Sequence, residues 1–358
     1  MKKTVIILGV LATTLWYACG GGSQQEEGLS SEALTELNEQ AHKLAKSIFG
    51  KLPGVAESKK NEISDDKVLL GRLLYFDTRL SKDGNISCNS CHQLDNFGVD
   101  NLAVSPGDDG TLGGRNTPTV FNAAIHANQF WDGRAADVEE QAGMPILNPI
   151  EHGIPSEEFL EERLSEIPMY VDLFAKAFPD EEQPITFKNL SYAIAAFERL
   201  LMTPGRIDEF IQGNMDALTV QEQQGLITFV EAGCNTCHIG PAAGGMLMQK
   251  FGVYGDYWEL TGSKNIDKGR YEVTGNEVDQ YIFKVPSLRN IEKTFPYFHD
   301  GSVADLSEAV RIMATLQQNK ELTDKEVADI VAFLKSLTSD IPEELKTPPA
   351  GYLDDSVL

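Results

Sequence analysis

Two pentapeptides of one pattern decide the fold of this chain: Cys88-Asn-Ser-Cys91-His92 and Cys234-Asn-Thr-Cys237-His238. In this pattern two thiols bond to the vinyl groups of a porphyrin and the histidine ligates its iron, so each copy predicts one c-type haem. A single Cys-x-x-Cys is as typical of a redox dithiol or of half a zinc site. Two copies, each followed directly by histidine, favour haem, and the only other cysteine is Cys19.

The size and charge of the chain bound its class. Its 358 residues are 42% hydrophobic, which is enough for two domains with their own cores. The net charge of -24 is spread along the sequence and indicates a solvated acidic surface, which argues against nucleic acid and anionic lipid as partners. An acidic electron-transfer protein would meet a basic or dipolar partner by steered encounter.

The first 18 residues have the pattern of an export signal peptide. Lys2 and Lys3 precede a mostly apolar run that is too short for a comfortable membrane span. Cys19 then follows Ala18 and precedes a polar, Gly-rich tether, as at a bacterial lipoprotein cleavage site. Trp16 stands where such sites usually carry Leu, so secretion without a lipid is the alternative. We expect a periplasmic protein, anchored to the membrane only through a lipid on Cys19.

An internal duplication follows the two pentapeptides. Pro118-Thr-Val-Phe-Asn122 leads to Phe130-Trp-Asp-Gly133, and Pro286-Ser-Leu-Arg-Asn290 leads to Phe298-His-Asp-Gly301, with 12 residues from Pro to Phe in both copies. Repetition of this kind indicates two copies of one module. The second copy carries a longer Gly-rich insert between its haem motif and the repeat.

Helical signals surround both haem motifs. Ser64 can cap a helix, and Thr219 and Thr323 each precede a glutamate by three residues, which is the capping-box pattern. Sustained alternation of apolar and polar residues, the strand pattern, is missing. The predicted fold class is therefore mainly α, with two cytochrome-c-like helical domains that each bind one c-type haem covalently.

Predicted boundaries follow from these patterns. They are a signal peptide (1–18), a lipoprotein tether with an N-terminal helix (19–60), a first haem domain with linking helices (61–215), a second haem domain (216–345) and a C-terminal tail (346–358). We expect the acidic, proline-containing segment after Ile341 to pack loosely.

The two irons differ in the predicted ligand opposite the histidine. Met313 lies 15 residues after Phe298 in the second copy, whereas Pro145 occupies the equivalent place in the first. A thioether raises the potential of a haem, so His238 and Met313 predict an electron-holding centre. Proline cannot bind iron, so the first haem would keep only His92.

Other methionines lie near these positions. Met246 and Met248 follow the second haem motif in the Gly-rich insert, and Met144 precedes Pro145. Met144 would point away from the iron because one helical step turns it by about a quarter of a turn. We therefore assign Met144 to the core.

An open haem that receives electrons from a second haem suits reductive cleavage of an O–O bond. Such cleavage needs a group that moves a proton between the peroxide oxygens and a polar partner. Gln141 and Glu151, on either side of Pro145, are the candidates, because a carboxylate in an apolar pocket has a raised pKa that suits proton transfer.

The sequence resembles bacterial di-haem cytochrome c peroxidases, with the MauG-type enzymes as more distant relatives. Both haem motifs carry this resemblance, together with Leu70-Gly-Arg-Leu-Leu-Tyr-Phe-Asp77, Arg115-Asn-Thr-Pro118, Gln129-Phe-Trp-Asp-Gly-Arg-Ala135 and Pro296-Tyr-Phe-His-Asp-Gly301.

The resemblance implies reduction of hydrogen peroxide to water with electrons from a small cytochrome c or cupredoxin. The electrons would enter at the C-terminal haem of His238 and Met313 and pass to the N-terminal, peroxidatic haem of His92. Trp131 matches the tryptophan between the haems, and Gln141 and Glu151 match the polar residues of the peroxide pocket.

A calcium site is also implied by the resemblance. Asn116 and the carbonyls of Thr294 and Pro296 match its ligands, and hard oxygen donors from both domains suit calcium. His299 matches a family histidine that is structural rather than ligating. Homodimers are common in the family, but the sequence does not fix the oligomeric state.

One loop departs from the family pattern. Many members carry a histidine before Arg-Asn-Thr-Pro that caps the peroxidatic iron until the other haem is reduced, and Asp108 falls at about that place here. Our hypothesis is that the first haem is open without prior reduction. His126 and His152 are the nearby substitutes for the missing ligand, although packing is the commoner role of each.

Two other functions remain open at this point. A MauG-like oxidase would act on another substrate, but MauG-type enzymes replace the axial methionine by tyrosine, which Met313 contradicts. A di-haem electron carrier without enzymatic activity would need six ligands on both irons, which the missing distal ligand disfavours.

Overall fold

The computed structural model describes residues 30–354 and 357 and is mainly helical, as predicted. Cys19 and the predicted signal peptide lie outside the described residues. Of the helices in the described part, none is long and apolar enough to cross a bilayer. The helices are α1 (Ser31–Ile48), α2 (Asp65–Phe76), α3 (Cys88–Cys91), α4 (Val138–Gln141), α5 (Met144–Leu147), α6 (Glu157–Ser165), α7 (Pro168–Ala177), α8 (Phe187–Glu198), α9 (Arg206–Ile211), α10 (Val220–Ala232), α11 (Tyr257–Thr261), α12 (Tyr271–Thr274), α13 (Leu306–Gln318) and α14 (Asp324–Lys335).

Two short strands lie in the Gly-rich insert and directly after it. β1 (Met248–Lys250) pairs antiparallel with β2 (Ile282–Lys284), with Met248 opposite Lys284. This strand pair was not predicted, because three residues are too few to show an alternating pattern.

The predicted helix caps are confirmed. The hydroxyl of Ser64 accepts a hydrogen bond from the backbone N–H of Lys67 at the start of α2. Thr219 and Thr323 form reciprocal capping boxes with the glutamates three residues later, at the starts of α10 and α14. Each box satisfies backbone N–H groups that a helix start leaves unpaired.

In each module, a glycine at a helix crossing lets the two helices of the core approach closely. A Cβ on Gly71 in α2 would lie 1.8 Å from the carbonyl oxygen of Ala193 in α8, and a Cβ on Gly225 in α10 would lie 1.8 Å from that of Asp329 in α14. Only glycine permits such close approach. Two apolar clusters result, one around α2 and α8 and one around α10 and α14.

The first and last segments of the described part pack on these clusters. Helix α1 contacts α9 and α10, and Phe49 stacks on Phe333 of α14 with ring centroids 5.9 Å apart. Ile341, only 7% exposed, joins the first cluster, and Leu353 packs against it. Most described residues after Ile341 are exposed, as expected for a loosely packed segment, although its few apolar residues contact the first core.

The duplicated segments have the same backbone conformation. Phe130 and Phe298 have φ angles of 65° and 71°, and Asn122 and Asn290 have 61° and 60°. Antiparallel bridges also recur in register, Gln129 with Ala135 and Tyr297 with Val303. These positive φ angles are uncommon for residues other than glycine, so their recurrence confirms two copies of one module.

Candidate functional site

One continuous cavity of about 550 Å³ extends between the two modules and is bordered by both haem motifs. With the exception of Cys19, which lies outside the described residues, every residue predicted for the site lines this cavity. These residues are Cys88, Cys91, His92, Cys234, Cys237, His238, Met313, Trp131, Gln141, Glu151, Asn116, Thr294 and Pro296. Sequence motifs far apart in the chain are thus brought to one place.

His92 is presented to the cavity in a form that suits iron. Its Nδ1 donates a hydrogen bond of 3.0 Å to the carbonyl of Pro118, and its own carbonyl accepts one of 2.7 Å from the hydroxyl of Tyr75. Burial lowers the pKa of His92, against the raising effect of the Pro118 carbonyl. A neutral ring whose Nδ1 is held by a carbonyl leaves Nε2 for a metal.

His238 occupies the matching place in the second module. It is 8% exposed, and its ring packs against Phe229 with centroids 6.4 Å apart. Burial lowers the pKa of His238 to about 4, against the backbone interactions with Ala243 and Pro286. Pro286 is the repeat equivalent of Pro118, so both imidazoles are neutral at pH 7 in related surroundings.

The four motif cysteines border the cavity and form no disulfide with one another. Burial raises the pKa of Cys91 to about 11 and that of Cys234 to about 11. Burial also raises the pKa of Cys88 strongly. A redox dithiol needs a lowered thiol pKa, so this environment disfavours that alternative and suits thioether attachment of a cofactor.

The two modules differ in the segment that was predicted to lie opposite the haem-motif histidine. In the second, α13 is continuous and Met313 lines the cavity from its middle. In the first, the equivalent segment is broken into α4 and α5, and Pro145 lines the cavity at the start of α5. Met144 is 36% exposed, so its assignment to the core is wrong: the break after α4 turns it towards solvent.

Glu151 is a half-buried carboxyl on the cavity wall. Burial raises its pKa, while Arg134 and the side chain of Asn148 act in the opposite direction. Asn148 Nδ2 donates a hydrogen bond of 2.7 Å to Glu151 Oε1, which fixes the carboxyl. Gln141, at the end of α4, lines the same wall.

Arg134 and Glu198 are charged residues of the cavity that were not predicted from the sequence. The guanidinium of Arg134 lies 3.5 Å from the ring centroid of Phe130 and pairs with Asp132 at 2.9 Å. Glu198 ends helix α8, and burial raises its pKa to about 8. The available signal for Glu198 was its place directly after an apolar helical run, where a surface acid is unexpected.

Asp108 does not face the cavity with its carboxyl. Its oxygens accept hydrogen bonds from the hydroxyl of Ser81 at 2.8 Å and from the backbone N–H groups of Asp83 and Asn85. The neighbouring residues of the loop, Pro106 and Gly107, line the cavity instead. Asp108 therefore holds the loop before the first haem motif.

The substitutes His126 and His152 both line the cavity. The ring of His152 donates from Nδ1 to the carbonyl of Leu80 at 3.0 Å, and burial lowers its pKa to about 4. His299 lines it as well and stacks on Phe283 with centroids 4.2 Å apart, as a structural residue would.

Comparison with known proteins identifies the family of this chain. The family model for di-haem cytochrome c peroxidase matches residues 65–216. The cytochrome c551 peroxidase of Nitrosomonas europaea is 47% identical over 78% of this chain and 81% of its own length, and that of Pseudomonas aeruginosa is 42% identical over 84% and 87%. The solved structure of a MauG-like protein associated with microbial copper homeostasis superposes with a TM-score of 0.72 at 30% identity, covering 83% of this chain and 97% of that one.

Fold and site together define a two-module, mainly helical protein with two c-type haem motifs on one cavity. The chain belongs to the di-haem cytochrome c peroxidase family and is an enzyme of the peroxidase class. The resemblance drawn from the sequence is confirmed, and the family implies two c-type haems, hydrogen peroxide as substrate and a redox protein as donor.

Proposed function

We propose that this protein reduces hydrogen peroxide to water with electrons from a small cytochrome c or cupredoxin, which enter at the second module and are used in the first. The observation that carries this direction is the asymmetry of the cavity, where Met313 lines the second module and Pro145 stands at the equivalent place in the first. The acidic surface of the chain suits steered encounter with a basic donor.

The residues on the cavity fit two haems. The half-buried side chains of the four motif cysteines and the two neutral imidazoles of His92 and His238 border it. Bound haem would supply an electron-storing iron held by His238 and Met313 and a peroxide-reducing iron held by His92.

Protein groups of the first module would handle the protons. Glu151, as a carboxylate, can accept a proton from the inner peroxide oxygen and deliver it to the outer one, and its raised pKa matches it to this task. Asn148 orients the carboxyl through its hydrogen bond. Gln141 can donate from its amide to polarise the peroxide.

Trp131 is suited to the passage of electrons between the modules. Its indole N–H bonds to Asn116 in the first module, and its backbone carbonyl accepts a hydrogen bond of 2.7 Å from Lys284 in the second. Its ring also meets that of His299, with centroids 6.4 Å apart. A rigid aromatic side chain between two redox centres can relay electrons.

We propose that the first module is open to peroxide without prior reduction. The use of the Asp108 carboxyl by Ser81, Asp83 and Asn85 supports this, since that side chain is not free to act as a ligand. An EPR spectrum of the oxidised protein should contain a high-spin signal. A purely low-spin spectrum that becomes high-spin in His152→Ala would instead identify His152 as the sixth ligand.

A calcium ion is proposed at Asn116, Thr294 and Pro296. Asn116 Nδ2 donates to the carbonyl of Leu102 at 2.8 Å, which turns Oδ1 the other way, and all three residues border the cavity at the contact of the modules. Oxygen donors of this kind suit calcium. Metal analysis before and after chelation should find one calcium in the wild type and a deficit in Asn116→Leu.

The location is proposed from the sequence alone. Export to the periplasm and a lipid on Cys19 would keep the enzyme on the outer side of the membrane, where c-type haem is attached. Mass spectrometry of the mature N terminus tests this. Cys19→Ala should release the protein from membranes, and a wild-type protein without lipid would contradict the anchor.

A steady-state assay with hydrogen peroxide and reduced cytochrome c tests the main proposal. A peroxidase oxidises the cytochrome in a peroxide-dependent way. A simple electron carrier would show no turnover, and a MauG-like oxidase would consume peroxide poorly with this donor.

A further inference from the structure

Lys284 is a buried cation on the cavity wall, at the end of β2. It is 6% exposed, and its backbone is fixed by the hydrogen bond to the Trp131 carbonyl. Burial lowers its pKa to about 8, against the raising effect of Asp132, so the amine is mainly charged at pH 7. A buried ammonium without a counter-ion is costly, so its partner has to be identified.

Among the described residues, Lys284 forms no ion pair with a carboxylate. The other two cationic side chains of the cavity are used within the protein: Arg115 binds Asp132 and Asp267, and Arg134 binds Asp132. The Nζ of Lys284 instead lies 3.4 Å from Nδ1 of His126. It is therefore the one cation on this wall whose charge the described residues leave unneutralised.

His126 adds a second unsatisfied group at the same place. Burial lowers its pKa far below the usual range, so the ring is neutral. When Nδ1 accepts from the Lys284 ammonium, the ring proton is on Nε2. That Nε2 is buried and has no hydrogen-bond partner among the described residues. The Lys284 ammonium and the Nε2–H of His126 are thus two donors, from different modules, that one acceptor could satisfy.

The internal duplication explains why these two residues meet. In repeat register, Lys284 corresponds to Asn116 and His126 corresponds to Thr294, the residues proposed for calcium. The backbone contacts are reciprocal: Asn116 N–H donates to the His299 carbonyl and Lys284 N–H donates to the Trp131 carbonyl, both at 2.7 Å. Each of these two related places takes one residue from each copy: the place of Asn116 and Thr294 offers oxygens to a cation, and that of His126 and Lys284 carries a cation of the protein itself.

We propose that Lys284 and His126 form a carboxylate-binding site for a haem propionate at the contact of the two modules. Each haem carries two propionates, and a propionate can accept from both an ammonium and an imidazole N–H. Such a charge-assisted contact satisfies both buried groups at once. The proposal requires bound haem but not peroxide turnover, so its failure would leave the proposed function standing.

Redox potentiometry of the haem-loaded protein tests this site. Lys284→Met removes the charge and keeps a side chain of similar length. Loss of a positive charge beside a haem favours the ferric form, so one of the two couples should become at least about tenfold harder to reduce, which is about 59 mV for one electron. Lys268→Met, an exposed lysine that stacks on Tyr271, is the matched control and should leave both couples unchanged.

Equal potentials in Lys284→Met and the control would overturn the proposal. If Lys284→Met does not retain two haems, a crystal structure of the haem-loaded wild type decides the matter. A propionate oxygen within about 3.2 Å of Lys284 Nζ supports the site, and propionates that all bind elsewhere exclude it.

Discussion

The indole Nε1 of Trp131 donates a hydrogen bond of 2.8 Å to the backbone carbonyl of Asn116. The N–H of Asn116 in turn donates to the carbonyl of His299 in the second copy of the repeat. Trp131 is therefore tied to the residue proposed as a calcium ligand and, through it, to the other module. Its orientation depends on how the modules meet.

Trp131→Phe should separate the structural role of the indole hydrogen bond from the proposed role of Trp131 as an electron relay. Loss of one part-buried hydrogen bond should lower the free energy of unfolding by about 1 kcal/mol, while turnover with reduced cytochrome c should fall much more if the indole is the relay. Denaturant unfolding and steady-state kinetics measure the two effects. Trp258→Phe, at an aromatic cluster of the second module, is the control, and equal turnover in both variants would argue against a relay.

Met313→Leu should abolish electron entry. Leucine keeps the apolar volume but cannot ligate iron, so the potential of the second haem should fall and turnover with reduced donor should be lost. Cyanide binding at the first haem should persist. Met248→Leu, in β1, is the control, and unchanged turnover in Met313→Leu would show that the ligand assignment is wrong.

Glu151→Gln should lower kcat/KM for peroxide by about 10²–10⁴. The carboxylate is the active form, so wild-type activity should be present above the pKa of Glu151 and be lost as pH falls through it. Burial raises that pKa, which places the loss at a higher pH than for a surface glutamate. In Glu151→Gln, activity should no longer fall with pH in this way. Glu158→Gln, on the exposed start of α6, should keep the wild-type loss of activity at low pH.

Glu198→Gln should change how stability depends on pH. The folded pKa of Glu198 is about 8 and its ordinary value is 4.5, so the folded state favours the protonated form. The stabilisation that Glu198 contributes to the folded state is complete below pH 4.5 and is lost as pH rises to about 8. The variant should therefore exceed the wild type in free energy of unfolding at pH 8 by an amount on the order of a few kcal/mol. Equal pH profiles for the wild type, Glu198→Gln and the exposed control Glu162→Gln would contradict this.

The buried pair of Arg289 with Asp208 should be essential for the second module. Both side chains are almost fully buried and two hydrogen bonds of 2.8 Å join them. Arg289→Met leaves Asp208 as an unpaired buried charge, which should cost about 3–5 kcal/mol in denaturant unfolding. Arg311→Met breaks the exposed pair with Asp324 and should cost less than about 1 kcal/mol.

The sequence by itself determined the duplication of the module, the residues predicted for haem attachment and the helix starts. Cys-x-x-Cys-His is a local covalent pattern, and capping at Thr219 or Thr323 acts within one turn, so neither depends on distant residues. The repeat register likewise placed Met313 against Pro145 without knowledge of the fold.

Only the tertiary structure decided which distant groups share an environment. The pKa of Glu198, the use of the Asp108 carboxyl by Ser81 and the meeting of Lys284 with His126 all arise from contacts between segments far apart in the chain. Met144 shows the same limit, because its exposure depends on where the helix breaks. Burial and charge pairing are properties of the packed chain, and local sequence patterns do not encode them.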